Sequence, residues 1–383
     1  MKTAFVLSDN IISSLGFTTT ENLLAIESMK TGLKLVSDPE LFVSPFYASL
    51  ISSELIHKRF EDIADPNKFT KFEQLCILSI KEALKNINIP YESEDTILIL
   101  STTKGNIDLL DKKTSISEDR VYLWKTAEII KTHFNLKNTP LVISNACISG
   151  VLGLVVGFRL IEQEKYKNVI VVGADILSEF VVSGFHSFKS LSTTPCKPFD
   201  KDRDGLSLGE AVGTVILTAE TNQLANEPIK IIGGSSSNDA NHISGPSRTG
   251  EGLYIAIKNA MTQAQKTSSE KIGFISTHGT ATLYNDEMEA IAFYRMKMSD
   301  IPLVGLKGIF GHTLGAAGVI ESIAAYQSIK RGVIHGTVGF ENPGVSVPVI
   351  VNKKTVSTKT NACLKVASGF GGCNAAIVFQ RNE

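Results

Sequence analysis

The chain has 383 residues, of which 43% are hydrophobic and 20% charged, and its formal net charge at pH 7 is -1. This length exceeds the usual size of one core, so it predicts two domains or one domain built from two fused halves. The near-zero net charge gives no general reason to expect binding to nucleic acid or to an anionic membrane surface.

The cysteines and the apolar segments indicate in which cellular compartment the protein is expected. The 5 cysteines are scattered, without the spacing of a metal site or a disulfide framework, which favours a reducing environment. The N-terminal apolar run ends at Ser8 and is too short for a secretory signal. The segment Ile148–Ile161 contains Arg159 and falls short of a membrane span. We therefore expect a cytoplasmic protein without a membrane-spanning helix.

Hydrophobic patterns predict alternating strands and helices in the first half of the chain. The predicted strands are Thr3–Leu7, Thr96–Leu100, Leu141–Ser144, Asn168–Val172 and Gly213–Leu217. The predicted helices are Thr20–Lys30, Lys71–Asn86, Val121–Phe134 and the apolar segment after Cys147. This alternation favours an α/β fold with largely buried sheets.

The second half of the chain repeats this plan. Its predicted strands are Ile229–Ile232, Ile272–Ser276, Pro302–Val304 and Ala376–Phe379, and its predicted helices are Gly252–Ala264, Asn285–Tyr294 and Leu314–Ser328. ILSTTKG near Leu100 is similar to ISTHGT near Ser276, and the glycine-spaced helix after Cys147 is similar to the one after His312. We expect two similar halves, residues 1–220 and 228–383, whose equivalent loops meet at a shared site.

Cys147 lies where a strand is predicted to feed a helix, in the stretch Leu141–Glu164. The free N–H groups and the positive end of the helix dipole favour a thiolate, so the sequence predicts a lowered pKa for this thiol. The same N–H groups suit an oxyanion formed when the sulfur attacks an acyl group. The alternative is that Cys147 is a small buried hydrophobe in the core.

Three later loops place reactive or permissive residues near strand ends. THGTAT contains His278, GLKGIFGHTLGAAG contains Lys307 and His312, and SGFGGCNAA surrounds Phe370 with glycines. Each has a structural explanation by itself, as a capping histidine, a solvated lysine or a tight turn. One thiol, two imidazoles and one ammonium at the ends of inner strands are more than coincidence, and together they predict a catalytic site.

Five ordered motifs connect these residues to a known family. They are NACISG around Cys147, KPFDKDRDGLSLGEAVG from Lys197 to Gly213, THGTATLYND from Thr277 to Asp286, LKGIFGHTLGAAG from Leu306 to Gly318, and SGFGGCNAA from Ser368 to Ala376. The chain resembles the elongating β-ketoacyl-acyl-carrier-protein synthases, condensing enzymes of the thiolase superfamily. The resemblance implies a thiolase-like fold, with five layers αβαβα built from two similar halves.

The resemblance also implies a reaction. Cys147 would take an acyl group from a carrier protein, and the backbone N–H groups of Cys147 and Phe370 would form the oxyanion hole. His278 and His312 would hold the thioester carbonyl of malonyl-acyl-carrier protein and stabilise the enolate left as carbon dioxide departs. The enolate would attack the acyl-Cys147 carbonyl to give a 3-oxoacyl product. Phe370 would also be the ring that gates entry of the acyl chain.

Supporting roles follow from the same resemblance. Lys307 would hold the electrostatics of the site, and Glu289 would be a buried carboxylate that pairs with it. Thr280 and Thr282 would hydrogen-bond the phosphopantetheine arm, which the carrier protein delivers, so no other cofactor and no metal are expected.

Pocket and docking residues are implied as well. Phe185 would line the acyl pocket, although core packing explains it equally well. Lys189, and secondarily Lys68, would meet an acidic carrier protein, although exposed lysines are common.

Two alternatives stay open. In the first alternative, the chain is a synthase of fatty-acid elongation or of a specialised polyene or polyketide pathway. It would act as a homodimer or as a heterodimer with a related ketosynthase. Otherwise it is a chain-length-factor-like partner that does not elongate, although such partners usually lose the nucleophile. The expected partners are acyl-carrier protein and its malonyl and acyl thioesters, with no nucleic acid and no membrane span.

Overall fold

The computed structural model describes residues 2–111, 114–241, 243 and 245–382. The helices in this part of the chain are α1 (Thr19–Glu27), α2 (Ser53–Phe60), α3 (Lys71–Leu84), α4 (Leu123–His133), α5 (Ser149–Glu162), α6 (Glu179–Ser187), α7 (Glu251–Ala264), α8 (Leu283–Arg295), α9 (Lys307–Phe310) and α10 (Ala317–Arg331). The strands are β1 (Ala4–Ser13), β2 (Lys34–Val36), β3 (Phe46–Ser49), β4 (Thr96–Ser101), β5 (Leu141–Ile143), β6 (Asn168–Asp175), β7 (Leu208–Gly209), β8 (Ala211–Thr218), β9 (Ile229–Asn238), β10 (Phe274–Ser276), β11 (Pro302–Val304), β12 (Val333–Ile334), β13 (Ile350–Val351), β14 (Val356–Ser357), β15 (Ala362–Gly369) and β16 (Cys373–Arg381).

The largest sheet repeats one strand order in its two halves. Its order is β13-β11-β10-β15-β16-β9-β1-β8-β6-β4-β5. Reading outward from the central β1–β9 pair, β8, β6, β4 and β5 in one half match β16, β15, β10 and β11 in the other, with the same parallel and antiparallel pairings. This order supports the division into residues 1–220 and 228–383, which stays a prediction and whose outer ends, Met1 and Glu383, lie outside the described residues.

The elements stack in five layers. Helices α5 and α10 pack against each other and contact strands of both halves. Helix α3 covers β1, β6 and β8 on one outer face, and α7 covers β9, β15 and β16 on the other. Separate buried apolar clusters fill the spaces around these helices. The α/β class and the αβαβα layering expected from the sequence are therefore confirmed.

Every strand and helix predicted from the sequence is present, with most ends displaced by a few residues. Strand β15 is absent from the predicted elements, although its first seven residues are buried. Lys365 lies in the middle of this strand with no exposed surface. A lysine inside an apolar run is typical of a surface segment, and here an ion pair with Glu321 offsets part of the cost of burying the ammonium.

No helix within the described ranges is both long enough and apolar enough to cross a membrane.

The strands that precede the predicted site residues end close to one another. Strand β5 leads to Cys147, β10 to His278, β11 to Lys307, and β15 to Phe370.

Candidate active site

The turn before α5 carries Cys147. Strand β5 ends at Ile143, and Ala146 adopts left-handed backbone with φ of 44°, a conformation that is costly for a residue other than glycine. The hydroxyl of Ser149 accepts from the N–H of Asn145 at 2.8 Å and donates to the carbonyl of Ala146 at 2.7 Å. These two bonds hold the strained turn that places Cys147 in the wall of a cavity.

His312 and His278 face the sulfur together. The Nε2 atom of His312 lies 3.0 Å from the Sγ of Cys147. The rings of His278 and His312 have centroids 5.1 Å apart and planes at 84°. A sulfur or ring nitrogen from each of the three residues lies within 4.8 Å of the others. The structure thus brings together the thiol and both imidazoles that the sequence predicted for one site.

Lys307 determines which nitrogen of His278 carries its proton. Its ammonium donates to the carbonyl of His278 at 2.6 Å and lies 3.4 Å from Nδ1 of the same ring. Because an ammonium can only donate, Nδ1 accepts and the proton of the neutral ring sits on Nε2. Burial lowers the pKa of His278 well below its usual value, and the charge of Lys307 acts in the same direction. His278 is therefore a neutral ring with an N–H donor on Nε2.

The carboxylate partner of Lys307 is Glu321, which lies on α10. The ammonium of Lys307 donates to Oε1 of Glu321 at 2.7 Å, and both side chains are buried. The predicted pairing of Lys307 with Glu289 is therefore wrong. The two carboxylates are both buried near the site, and only the packing of α10 against it decides which one reaches the ammonium.

Glu289 instead holds the turn that carries His278. Its carboxylate accepts from the backbone N–H of His278 at 2.7 Å and from that of Gly279 at 2.6 Å, and the side-chain amide of Asn285 donates to it at 2.9 Å. Burial raises the pKa of Glu289 to about 7, and Asp286 acts in the same direction. Glu289 supports the position of His278 through the backbone.

Lys365 carries a second buried ammonium at the site, and no motif in the sequence predicted it. It donates to Oε2 of Glu321 at 2.6 Å and to the carbonyl of Thr277 at 2.8 Å. Glu321 is the only acidic residue of α10, whose basic residues Lys330 and Arg331 lie in its last turn, and Lys365 is the only charged residue of β15. Such isolated and opposite charges in buried segments are the signal that could have paired them, since a buried charge needs a partner.

The thiol of Cys147 is neutral in the resting site. Burial raises its pKa to about 12, with Cys373 adding to the effect and Lys307 opposing it. The predicted lowering of this pKa is therefore wrong. The nearby positive groups act against a desolvation penalty that depends on how the whole chain packs around the sulfur.

His312 is a neutral base beside that thiol. Burial lowers the pKa of His312 well below its usual value, and Lys307 and Lys365 contribute in the same direction. A neutral imidazole at hydrogen-bond distance from a thiol is suited to accept its proton during attack. Among the described residues no group hydrogen-bonds to Nδ1 of His312. Nε2 is the ring atom that faces the sulfur, so it can accept the thiol proton in one step and donate a proton in another.

The backbone of residues 369 and 370 passes beside the nucleophile. A Cβ added to Gly369 would lie 3.1 Å from the backbone nitrogen of Cys147. Gly371 and Gly372 follow with φ of 84° and 75°, in the left-handed region that glycine adopts without strain. The geometry is compatible with the predicted pair of oxyanion donors, the N–H groups of Cys147 and Phe370.

The cavity above the sulfur has a volume of about 400 Å³. Thr280 and Thr282 line it with their hydroxyl oxygens 2.9 Å apart. Phe185 also lines it, with its ring centroid 5.6 Å from that of Phe370 and 6.1 Å from that of His312. One side of the cavity is therefore polar and the other is aromatic.

The two predicted docking lysines differ in position. Lys189 is exposed and lines the cavity. Lys68 is exposed at the end of the short turn Pro66–Lys68 and is not part of the cavity lining. The docking role of both lysines stays a prediction, and the geometry favours Lys189.

Two family models and several known proteins match this chain. The N-terminal and C-terminal domain models of beta-ketoacyl synthases match residues 47–223 and 230–341. The tetracenomycin polyketide synthase ketoacyl synthase alpha subunit of Streptomyces glaucescens is 32% identical over 259 residues, covering 63% of this chain and 59% of that protein. The 3-oxoacyl-[acyl-carrier-protein] synthase 2 of Vibrio cholerae is 30% identical over 264 residues, covering 64% of this chain and 63% of that protein.

A solved structure extends the likeness to the whole fold. A complex of a ketosynthase with its chain length factor, from Xenorhabdus doucetiae, contains a chain that superposes with a TM-score of 0.85 at 23% identity, covering 100% of this chain and 98% of that chain. The matched sequence segments span less than two thirds of the length of either relative above. The family resemblance predicted from the motifs is confirmed: the chain has the thiolase-like fold and belongs to the beta-ketoacyl synthase family of condensing acyltransferases.

Proposed function

We propose that this protein is a 3-oxoacyl-[acyl-carrier-protein] synthase. It catalyses the decarboxylative condensation of an acyl group on Cys147 with malonyl-acyl-carrier protein, in fatty-acid or polyene and polyketide elongation. The observation that carries this proposal is the 3.0 Å contact between Sγ of Cys147 and Nε2 of His312, with His278 beside them. This is the arrangement needed for a nucleophile, its base and a second donor.

The first half-reaction is acyl transfer. His312 takes the thiol proton of Cys147 as the sulfur attacks the thioester carbonyl of the acyl-carrier protein. The N–H groups of Cys147 and Phe370 stabilise the tetrahedral oxyanion. The carbon–sulfur bond to phosphopantetheine then breaks, and His312 returns its proton to the departing thiolate, so the ring is neutral again.

The second half-reaction is condensation. The thioester carbonyl oxygen of malonyl-acyl-carrier protein accepts hydrogen bonds from Nε2–H of His278 and of His312. The bond to the carboxylate breaks, carbon dioxide leaves, and the electron pair becomes an enolate that these donors stabilise. The enolate carbon attacks the acyl-Cys147 carbonyl, the carbon–sulfur bond breaks, and the thiolate is reprotonated from solvent.

The cavity supports delivery of both substrates on a phosphopantetheine arm. The hydroxyls of Thr280 and Thr282 offer hydrogen bonds to the amides of the arm, and the aromatic side formed by Phe185 and Phe370 suits the acyl chain. Movement of the Phe370 ring admits the acyl chain. No metal and no resident cofactor take part in this scheme, since the phosphopantetheine arrives on the carrier protein.

The carrier protein is the proposed partner at the mouth of the cavity. Lys189 is exposed there and suits an acidic surface. Lys68 is a second candidate contact for the same partner.

A second subunit is proposed at strand β5. This strand is an edge of the large sheet, and Leu141 within it is 37% exposed. Tyr122 and Trp124, at the start of the neighbouring α4, are also exposed. An open edge beside apolar surface favours pairing with another chain. We propose a homodimer, with a heterodimer with a related ketosynthase as the alternative, and a cytoplasmic location consistent with five free cysteines.

Two assays test the function. Mass spectrometry should detect an acyl group on Cys147 after incubation with acyl-carrier protein, and labelled malonyl-carrier protein should release carbon dioxide. A chain-length-factor-like partner would do neither when assayed alone. The buried contact between Cys147 and His312 favours the active synthase over this alternative.

A further inference from the structure

Lys365 has no role in the two half-reactions, yet it is fully buried beside the residues that carry them. Lys307 and Lys365 bind the two oxygens of one carboxylate, that of Glu321, at 2.7 and 2.6 Å. A single carboxylate therefore faces two ammonium groups, and one positive charge is left without a partner in this triad.

The two lysines also hold consecutive backbone carbonyls. Lys307 donates to the carbonyl of His278, and Lys365 donates to that of Thr277. The residues that carry the unbalanced charge are thus tied to the strand end that presents the imidazole. These contacts fix the position of the Lys365 charge relative to the two histidines.

We propose that Lys365 is a positioning residue that keeps one positive charge, in excess of what Glu321 neutralises, next to the two histidines and thereby favours anionic sulfur at Cys147 and the anionic enolate. Without it, Lys307 and Glu321 would form a neutral pair. With it, the same carboxylate is shared, and the excess charge stays in a medium where charges interact more strongly than in water.

The electrostatic surroundings agree with this role. Burial lowers the pKa of Lys365, and the carboxylates of Glu321 and, more weakly, Glu289 oppose that effect. Lys365 is among the groups that lower the pKa of His278 and His312 and keep both rings neutral. The other titratable or charged groups around the thiol and the histidines are Lys104, Asp175, Asp286, Glu289, Lys307, Glu321 and Cys373.

The contribution of Lys365 to turnover rests on the proposed function, whereas its effect on Cys147 does not. Alkylation of Cys147 by iodoacetamide, followed on its peptide by mass spectrometry at pH 8, reports thiolate formation independently of any substrate. Lys365→Met removes the excess charge and should slow alkylation by about tenfold, the effect of one pKa unit on a thiol that is mostly protonated.

A double variant whose triad has the same net charge as in the wild type separates the effect of charge from that of packing. Lys365→Met combined with Glu321→Gln leaves Lys307 as one positive charge, so most of the wild-type alkylation rate should return. Lys330→Met, on the exposed end of α10, is the matched control and should leave the rate unchanged. Thermal unfolding of each variant identifies any that are not folded.

Wild-type alkylation in Lys365→Met would overturn the inference. So would a double variant that reacts no faster than the single one, because that result would assign Lys365 to packing. Carbon dioxide release from malonyl-carrier protein should follow the same order across the series. A wild type that neither becomes acylated nor releases carbon dioxide would refute the proposed function, while the alkylation series would still decide the role of Lys365.

Discussion

A Cβ added to Gly150 would lie 3.0 Å from the Cα of Gly318, so α5 and α10 meet backbone to backbone at these two glycines. Each glycine is the second residue of its helix. Cys147 lies just before one helix and His312 shortly before the other. The glycine contact thus sets how closely the two halves of the molecule bring the thiol to the imidazole.

Gly318→Ala should separate these helices. The new Cβ would lie 2.3 Å from the backbone nitrogen of Val151, which cannot move without displacing α5. We expect a loss of about 1–3 kcal/mol in the free energy of unfolding, as for an overpacked core. We also expect slower acylation of Cys147, because the 3.0 Å contact with His312 lengthens. Urea unfolding and mass spectrometry measure the two effects.

The control for this prediction is Gly184→Ala in α6. A Cβ there would meet no atom within 4 Å. Alanine is the better helix former, so this variant should be more stable by up to about 1 kcal/mol, with unchanged acylation. Equal destabilisation by the two substitutions would contradict the role given to the α5–α10 contact.

His278 and His312 should differ in the half-reactions they support. His278→Ala removes an enolate donor that, unlike His312, is not seen to hydrogen-bond the sulfur in the described part of the chain, so carbon dioxide release should fall about 100-fold or more while acylation changes little. His312→Ala removes the base beside Cys147 as well, so both half-reactions should fall. Separate assays of acylation and decarboxylation check this, and an identical pattern in the two variants would argue against the division.

Lys189→Glu should weaken docking of the carrier protein. The exposed position of Lys189 at the cavity mouth predicts a KM for acyl-carrier protein that rises about tenfold, with kcat for a free phosphopantetheine thioester unchanged. Lys68→Glu, away from the cavity lining, should have a smaller effect. Steady-state kinetics with both substrates test this, and a larger effect at Lys68 would move the proposed docking surface.

His335 should make the protein sensitive to acid. It is 1% exposed, and neither ring nitrogen has a hydrogen-bond partner among the described residues. Burial lowers its pKa to about 4 from the usual 6.5, with Glu27 opposing. The unfolded chain therefore binds a proton that the folded one does not, so stability is full above pH 6.5, falls toward pH 4, and levels off below it. The total loss is about 3 kcal/mol.

His335→Leu should remove that loss and add about 1 kcal/mol or more at pH 7, because an unpartnered buried polar group is costly. Urea unfolding at pH 7 and pH 5 measures both effects. The exposed His57→Gln serves as a control and should leave the pH profile of stability as it is. A His335→Leu variant with the same acid sensitivity as the wild type would show that the sensitivity lies elsewhere.

The elements and the reactive residues could be predicted from the sequence because both are encoded locally. Apolar runs and glycines define the strand–turn–helix units at Cys147 and His312. The motifs around His278, Lys307 and Phe370 are short enough to recognise without knowing the fold. The repeated order of elements also predicted the two similar halves whose strands pair in matching order.

The partners of the buried charges were decided only by tertiary structure. Glu289 and Glu321 both become fully buried near Lys307, and the packing of α10 makes Glu321 its partner. The sequence around Lys365 does not indicate that this lysine is buried, and only the folded chain places Glu321 beside it.

The pKa of Cys147 was likewise decided only by tertiary structure. Its nearest neighbours in sequence predicted a thiolate, whereas burial raises the pKa to about 12. Secondary structure and motifs depend on residues a few positions apart, so the sequence alone determined them. Desolvation and ion pairing depend on every group that surrounds an atom, and those groups come from strands and helices far apart along the chain, so only the folded structure determined the chemistry of the site.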